Sequence, residues 1–280
     1  MNDFPFRLAL NTSTLRPFEL AVPDQIAVTA AAGFDGIELW VRDIEAYVDA
    51  GGSAADLANL TRDAGIDVVN GIAFFKWADS NPAARADGLE QARREIALLA
   101  RVGCKAVAAP PTGDVATVTV DEFAVRFAAL DRIATDAGVT AILEFWGRAP
   151  VLHSIGEAQT VLDRSGVDGA SMLLDLFHMY TGGSSIDDVA SLPRERVGLV
   201  HVNDYPSEPE RAVIKDSDRV MPGDGVGGVA RFYDALDAIG YRGYLSVELF
   251  RPSYSAADAT GVARQALAKS RACWSGERRA

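Results

Sequence analysis

Short apolar runs alternate with amphipathic stretches along the whole 280-residue chain. Several of those stretches end in glycine and feed directly into the next run: AAGFDGIEL around Gly33, DAGIDVVN around Gly65, RVGCKAVAA around Gly103, DAGVTAILEF around Gly138 and AIGYRGYLSVEL around Gly240. Glycine adopts the left-handed conformation that ends helices, so each reads as a helix stop leading into a strand. Between stops the apolar residues fall at the helical period, as in Phe123, Phe127, Leu130, Ile133 and Ala134, and Thr119 with Glu122 has capping-box spacing. The repeat of roughly 30 to 40 residues is that of a βα unit.

Eight strands are predicted, near residues 6–11, 36–40, 66–74, 104–109, 139–145, 170–176, 197–203 and 243–249. A helix is expected after most of them; the sixth crossover, around Ile186 to Leu192, has the weakest pattern. Strands alternating with helices imply a parallel sheet, and eight pairs favour closure over an open doubly wound sheet. The expected fold is therefore α/β, a (β/α)8 TIM barrel forming a single domain over residues 1–280, with no Pro/Gly/Ser-rich linker dividing it.

Four of the apolar runs end in a residue that binds metals. They are Glu144 in AILEFWG, Asp175 in MLLDLFH, His201 in LVHVND and Glu248 in LSVELF. A carboxylate at the end of a buried strand is costly to desolvate without a partner, and in a closed barrel all four would converge at the C-terminal mouth. Three carboxylates and one imidazole suit Mn2+, Mg2+, Co2+ or Zn2+ rather than thiolate chemistry. A single isolated residue of this kind is ordinarily a locally bonded strand end; four at equivalent positions point to one metal site.

The same reasoning makes other polar residues at strand ends candidates for substrate contact: Asn11, Glu38, Lys76, Trp146, Arg148 and, in the long loop after the seventh strand, Arg219. His178, three residues past Asp175, is placed to bond a substrate oxygen or orient a ligand. His153 has no visible partner and reads as a loop residue. The stretch from Gly223 to Gly228 contains GxGxxG, but about twenty residues past the nearest strand, contrary to the dinucleotide fingerprint. It is expected to be a mobile loop that helps cover substrate.

Composition narrows the partners. Hydrophobic residues make up 49% and charged residues 24% of the chain, a globular balance. The net charge of −12 argues against binding a phosphate backbone and favours a neutral small molecule. No basic leader followed by an apolar stretch opens the chain, and no run is long enough to span a membrane, so a cytoplasmic location is expected. Cys104 and Cys273 read as packed thiols.

The combination LEF, LLDLFH, HVND and SVELF resembles the xylose-isomerase-like sugar isomerase and epimerase superfamily over essentially the whole chain. Within it, DSDRVMPGDG followed by GYLSVELFRPSY, with GIELWVRDIEAYV and GIAFFKW earlier, is similar to the inosose (2-keto-myo-inositol) isomerases. The resemblance implies one divalent ion, commonly manganese, on Glu144, Asp175, His201 and Glu248. It implies Glu144 and Glu248 as acid and base, and His178 and Arg219 in contact with substrate.

The activity so implied is proton transfer beside the ketone of a keto-sugar or keto-inositol through a metal-stabilised enediolate. A lyase or dehydratase of the same superfamily, including inosose dehydratase or a 3-oxo-glycoside deglycosidase with a small second subunit, is the nearest alternative. An endonuclease IV-like DNA-repair nuclease shares the barrel, but its histidine-rich multinuclear zinc site fits poorly with three histidines and an acidic chain. Oligomers are common among such barrels, and no segment identifies an interface here.

Overall fold

The computed structural model describes residues 4–255 and 258–274. Eight strands, β1 (Arg7–Asn11), β2 (Gly36–Trp40), β3 (Asp67–Ile72), β4 (Ala106–Ala109), β5 (Thr140–Glu144), β6 (Ser171–Asp175), β7 (Val197–Val202) and β8 (Tyr244–Val247), pair in parallel in sequence order. β8 pairs back onto β1, which closes the barrel. All eight lie where the apolar runs predicted them, one or two residues shorter at some ends.

Helices fill the crossovers: α1 (Val22–Ala32), α2 (Val41–Asp49), α3 (Ala54–Ala64), α4 (Pro82–Val102), α5 (Val120–Asp136), α6 (Ile155–Ser165), α7 (Leu176–Gly182), α8 (Ile186–Val189), α9 (Val229–Ala238) and α10 (Ala259–Ala272). Gly33, Gly65 and Gly103 cap their helices with positive φ, as read from sequence. The Thr119–Glu122 capping box starts α5, and the face from Phe123 to Ala134 is buried. The weak sixth crossover is two short helices, α7 and α8, too brief for a clear 3.6-residue period. One glycine has a packing reason: a Cβ on Gly88, inside α4, would sit 2.7 Å from the backbone of Lys76, so α4 packs directly on the loop after β3.

Strand alternation divides the interior. Leu8, Leu10, Ile37, Leu39, Val200 and Val202 belong to the large core. Ala9, Val69, Ala108, Ile142, Leu173 and Leu199 fill the barrel centre. Above that plug the centre turns polar: Asn11, Glu38, Asn70, His201 and Ser246 are all 0% exposed. No helix among the described residues is long and apolar enough to cross a membrane.

Candidate active site

Register decides which of these polar residues meet. Asp175 and His201 are direct partners across β6 and β7, and Glu248 directly follows Val247, the partner of Val202 at the end of β7. One ligand atom from each of Asp175, His201 and Glu248 lies within 4.8 Å of the others. His201 Nδ1 is 3.2 Å from Glu248 Oε2 and 3.5 Å from Asp175 Oδ2. Arg219 Nη1 donates to the same two oxygens, at 2.8 Å each. Two carboxylate oxygens and one imidazole nitrogen thus converge where positive charge collects.

Each member is held by its local structure. Asp175 caps α7: its Oδ1 accepts from the amides of Phe177 at 2.8 Å and His178 at 3.1 Å, which leaves Oδ2 aimed at the cluster. Asn11 Nδ2 donates to Glu248 Oε1 at 3.0 Å. His201 Nε2 lies 3.1 Å from Glu38 Oε2. Glu38 also accepts from Asn70 Nδ2 at 2.7 Å and from the Ser246 hydroxyl, bonds that favour its ionised form. An ionised carboxylate only accepts, so Nε2 carries the proton in that pair. That assignment leaves Nδ1, buried and without a hydrogen-bond partner among the described residues. An orphaned nitrogen beside two convergent carboxylate oxygens is a donor set that fits a divalent ion of the zinc or manganese type.

The buried charges shift one another. Burial alone would lower the His201 imidazole, but Glu248 and Glu38 outweigh it and raise it well above the ordinary value. Burial would raise Asp175, yet Arg219, then His178 and His201, hold it well below the usual carboxylate range. Glu144 has no such rescue: burial, with Glu248 and Asp175 adding repulsion against the pull of His201, pushes its carboxyl up to about 8. Burial takes His178 down to about 4, leaving it neutral near pH 7.

A cavity of about 590 Å³ opens above the cluster, and Glu144, Glu248, His178, Arg219, Trp146 and Arg148 are among its walls. Glu144, expected as a fourth ligand, stands at this mouth but outside the three-residue cluster, with its Oε1 4.0 Å from His178 Nε2. Three residues expected at the substrate lie elsewhere. Glu38 is completely buried beneath His201, because it is the third residue of β2 and not its last. Asn11, also 0% exposed, bridges Glu248 and the Trp40 indole, whose Nε1 donates to Asn11 Oδ1 at 2.9 Å. Lys76 is exposed on the loop packed under α4 and is absent from the cavity wall. The glycine-rich loop does not cover the cavity either. The buried Asp204 carboxylate accepts from the amides of Gly223, Gly225 and Gly227 at 3.1, 3.1 and 2.7 Å, pinning the loop away from it.

Sequence reasoning missed Asp216, which takes Arg219 Nη2 at 2.6 Å, and the network residues Asn70 and Ser246. An asparagine inside the apolar run DVVNGI was the available signal for Asn70. It also missed the aromatic wall formed by Trp40, Phe74 and Phe250.

A closed parallel barrel carrying an Asp–His–Glu cluster at its C-terminal mouth defines the class: a TIM barrel with a metal-competent centre. Residues 26–273 match the family described as xylose isomerase-like TIM barrel, and the chain belongs to that family. An inosose isomerase of Halalkalibacterium halodurans is 34% identical over 126 residues, 45% of this chain and 44% of that protein. A 3-dehydroshikimate dehydratase of Pseudomonas aeruginosa is 28% identical over 249 residues, 84% of this chain but 37% of that protein. The chain thus spans less than half the length of these two relatives. An L-ribulose 3-epimerase of Mesorhizobium japonicum is 30% identical over 235 residues, 80% of this chain and 74% of that protein. The solved structure of IOLI protein with a binding zinc atom superposes with a TM-score of 0.86 over 97% of this chain and 99% of that one, at 24% identity, which shows the shared fold.

Proposed function

We propose that this chain is a divalent-metal-dependent isomerase or epimerase of a keto-sugar or keto-inositol. The carrying observation is that Glu144 on β5 and Glu248 after β8 line one cavity directly at the Asp175–His201–Glu248 cluster. Two carboxyl groups reaching one ligand from separate strands can remove a proton beside a ketone and return it to the neighbouring carbon or to the opposite face. Asp175, His201 and Glu248 would hold the ion, with Glu144 as a fourth ligand or as the acid beside it. When bound, the ion supplies Lewis-acid stabilisation of negative charge developing on the substrate oxygens. Manganese and zinc both suit this donor set.

The residues divide the work by environment. Glu248 accepts from Arg219 and Asn11, so its carboxylate is fixed in orientation and serves as the base. Glu144, its carboxyl pushed up to about 8 by burial in the metal-free chain, is suited to carry the proton that the reaction returns and serves as the acid. Neutral His178, 4.0 Å from Glu144 Oε1 and 3.5 Å from Arg219 Nη2, offers a hydrogen bond to a substrate oxygen. An acid at Glu144 also supports a second reading, a dehydratase, because its proton could go to a departing hydroxyl. The dehydratase alignment over 84% of this chain supports keeping that reading.

Incubation of the zinc- or manganese-loaded protein with keto-inositols and ketohexoses in D2O, followed by NMR, separates the outcomes. Deuterium beside the ketone with a moved ketone or inverted centre supports isomerisation or epimerisation, and an enone product supports dehydration. Unchanged substrate across the panel overturns the proton-transfer reading.

A further inference from the structure

The cavity has one almost wholly apolar side and one mixed side, where Trp146, Ala149, Pro150, Phe177 and Phe250 stand among the charged groups. Its polar and charged lining comes chiefly from the second half of the barrel, where Glu144, His178, Thr181, Asp216, Arg219 and Glu248 stand. The ends of β2, β3 and β4 contribute Trp40, Ile72, Phe74, Pro111 and Val115, and among the described residues the one charged lining side chain on that side is the exposed Asp114. The indole Nε1 of Trp40 is already taken by Asn11, and the guanidinium of Arg16 stacks over its ring at 3.8 Å.

The aromatic rings form a continuous band. Trp40 packs on Phe74 at 5.4 Å and edge-on to Phe250 at 6.3 Å, Phe74 packs on Trp146 at 6.0 Å, and Trp146 reaches His178 at 6.4 Å. Phe74 keeps 46% of its surface exposed and stands on the cavity wall between Trp40 and Trp146.

A free keto-inositol carries an oxygen on every carbon around its rim and has only its C–H faces to set against rings. It also underfills the space, since a ring of a dozen heavy atoms occupies roughly 150–200 Å³ at liquid-like packing, against a cavity of about 590 Å³. From this partition we infer that the substrate is a hydroxy-ketone bearing an apolar, preferably aromatic, substituent, its hydroxy-ketone end at Glu144 and Glu248 and its substituent on Trp40, Ile72, Phe74 and Val115. This inference rests on the proposed proton-transfer site for the placement of the polar end. The apolar subsite itself stands on the lining alone.

The test uses two ligands that differ only in the substituent, the O-methyl and O-phenyl ethers of one keto-inositol, titrated calorimetrically into the zinc-loaded protein. The phenyl ether is expected to bind at least tenfold more tightly. Phe74→Ala, a change at a half-exposed ring that leaves the core intact, is expected to cut that advantage at least threefold while the methyl ether keeps its affinity. Equal affinity of the two ethers, or an advantage unchanged by Phe74→Ala, overturns the subsite. Deuterium exchange into both ethers is followed in parallel. Exchange without phenyl preference removes the subsite and leaves the chemistry standing, whereas phenyl preference without exchange removes the chemistry and leaves the subsite.

Discussion

Glu38 Oε2 lies 3.1 Å from His201 Nε2, and both side chains are fully buried. The pair works as one unit: the carboxylate fixes which ring nitrogen carries the proton and therefore which one faces Asp175 and Glu248. Glu38→Gln preserves shape but removes the charge that orients the ring. Its expected effect is a loss of about 10–100-fold in zinc or manganese affinity, measured by competition with a chromogenic chelator. Unaltered affinity would show that His201 holds its orientation without Glu38.

Glu144 gives a pH signature. Its carboxyl is raised from the ordinary 4.5 to about 8 in the folded chain, so between those values the folded state holds a proton that the unfolded state has released. Stability from this group is complete at low pH and is lost as pH rises through that window. The raised His201 works in the same direction. The lowered His178 opposes them below its ordinary 6.5, so the melting temperature of metal-free protein should fall chiefly from about pH 6.5 toward pH 8, and Glu144→Gln should flatten that fall. The same variant should lower kcat on a turned-over keto-substrate by about 10²–10⁴-fold, with its circular dichroism unchanged.

Metal uptake should be proton-coupled. His201 is raised well above its ordinary value by Glu248 and Glu38, so a proton competes with any ion for its ring. Zinc affinity should rise with pH across the neutral range, and calorimetry in buffers of different ionisation enthalpy should register proton release. Stripping with a chelator should abolish turnover, and about one ion per chain should restore it.

Asp204 is a structural anchor. Its buried carboxylate takes three glycine amides, from Gly223, Gly225 and Gly227, and also the amide of Tyr205 at 2.8 Å. Hydrogen bonds to a charged group are worth about 1.5–3 kcal/mol, so Asp204→Ala is expected to cost about 3 kcal/mol in urea unfolding and to speed amide exchange across residues 223–228. A neutral result would mean the loop holds its shape through its own backbone.

Arg148 offers a second kind of strap. Its guanidinium donates to the carbonyls of Arg211 at 2.9 Å and Ala212 at 3.1 Å, tying the loop after β5 to the segment that leads to Asp216 and Arg219. Arg148→Ala should raise amide exchange over residues 211–219 and increase KM more than it lowers kcat.

Much of this molecule was legible in the residues alone. Gly33, Gly65 and Gly103 marked helix ends, the apolar runs marked the eight strands, and Asp175, His201 and Glu248 stood at run ends where a barrel would gather them. Periodicity carries that information because helix and strand repeats differ, and because a buried charge is tolerated only where something answers it.

Depth and facing were decided elsewhere. Glu38 and Glu144 are both acidic residues in apolar strands, yet one lies sealed beneath His201 and the other lines the cavity. The stagger between neighbouring strands sets the height of each side chain in the barrel, and stagger depends on pairing that no single segment encodes. Loop packing likewise sent Lys76 outward and drew Arg219 into the cluster, and it assembled the aromatic band from Trp40, Phe74, Trp146 and Phe250. Local sequence determined which elements form and where the charged residues enter them; only closure of the ring determined which of those residues share one space.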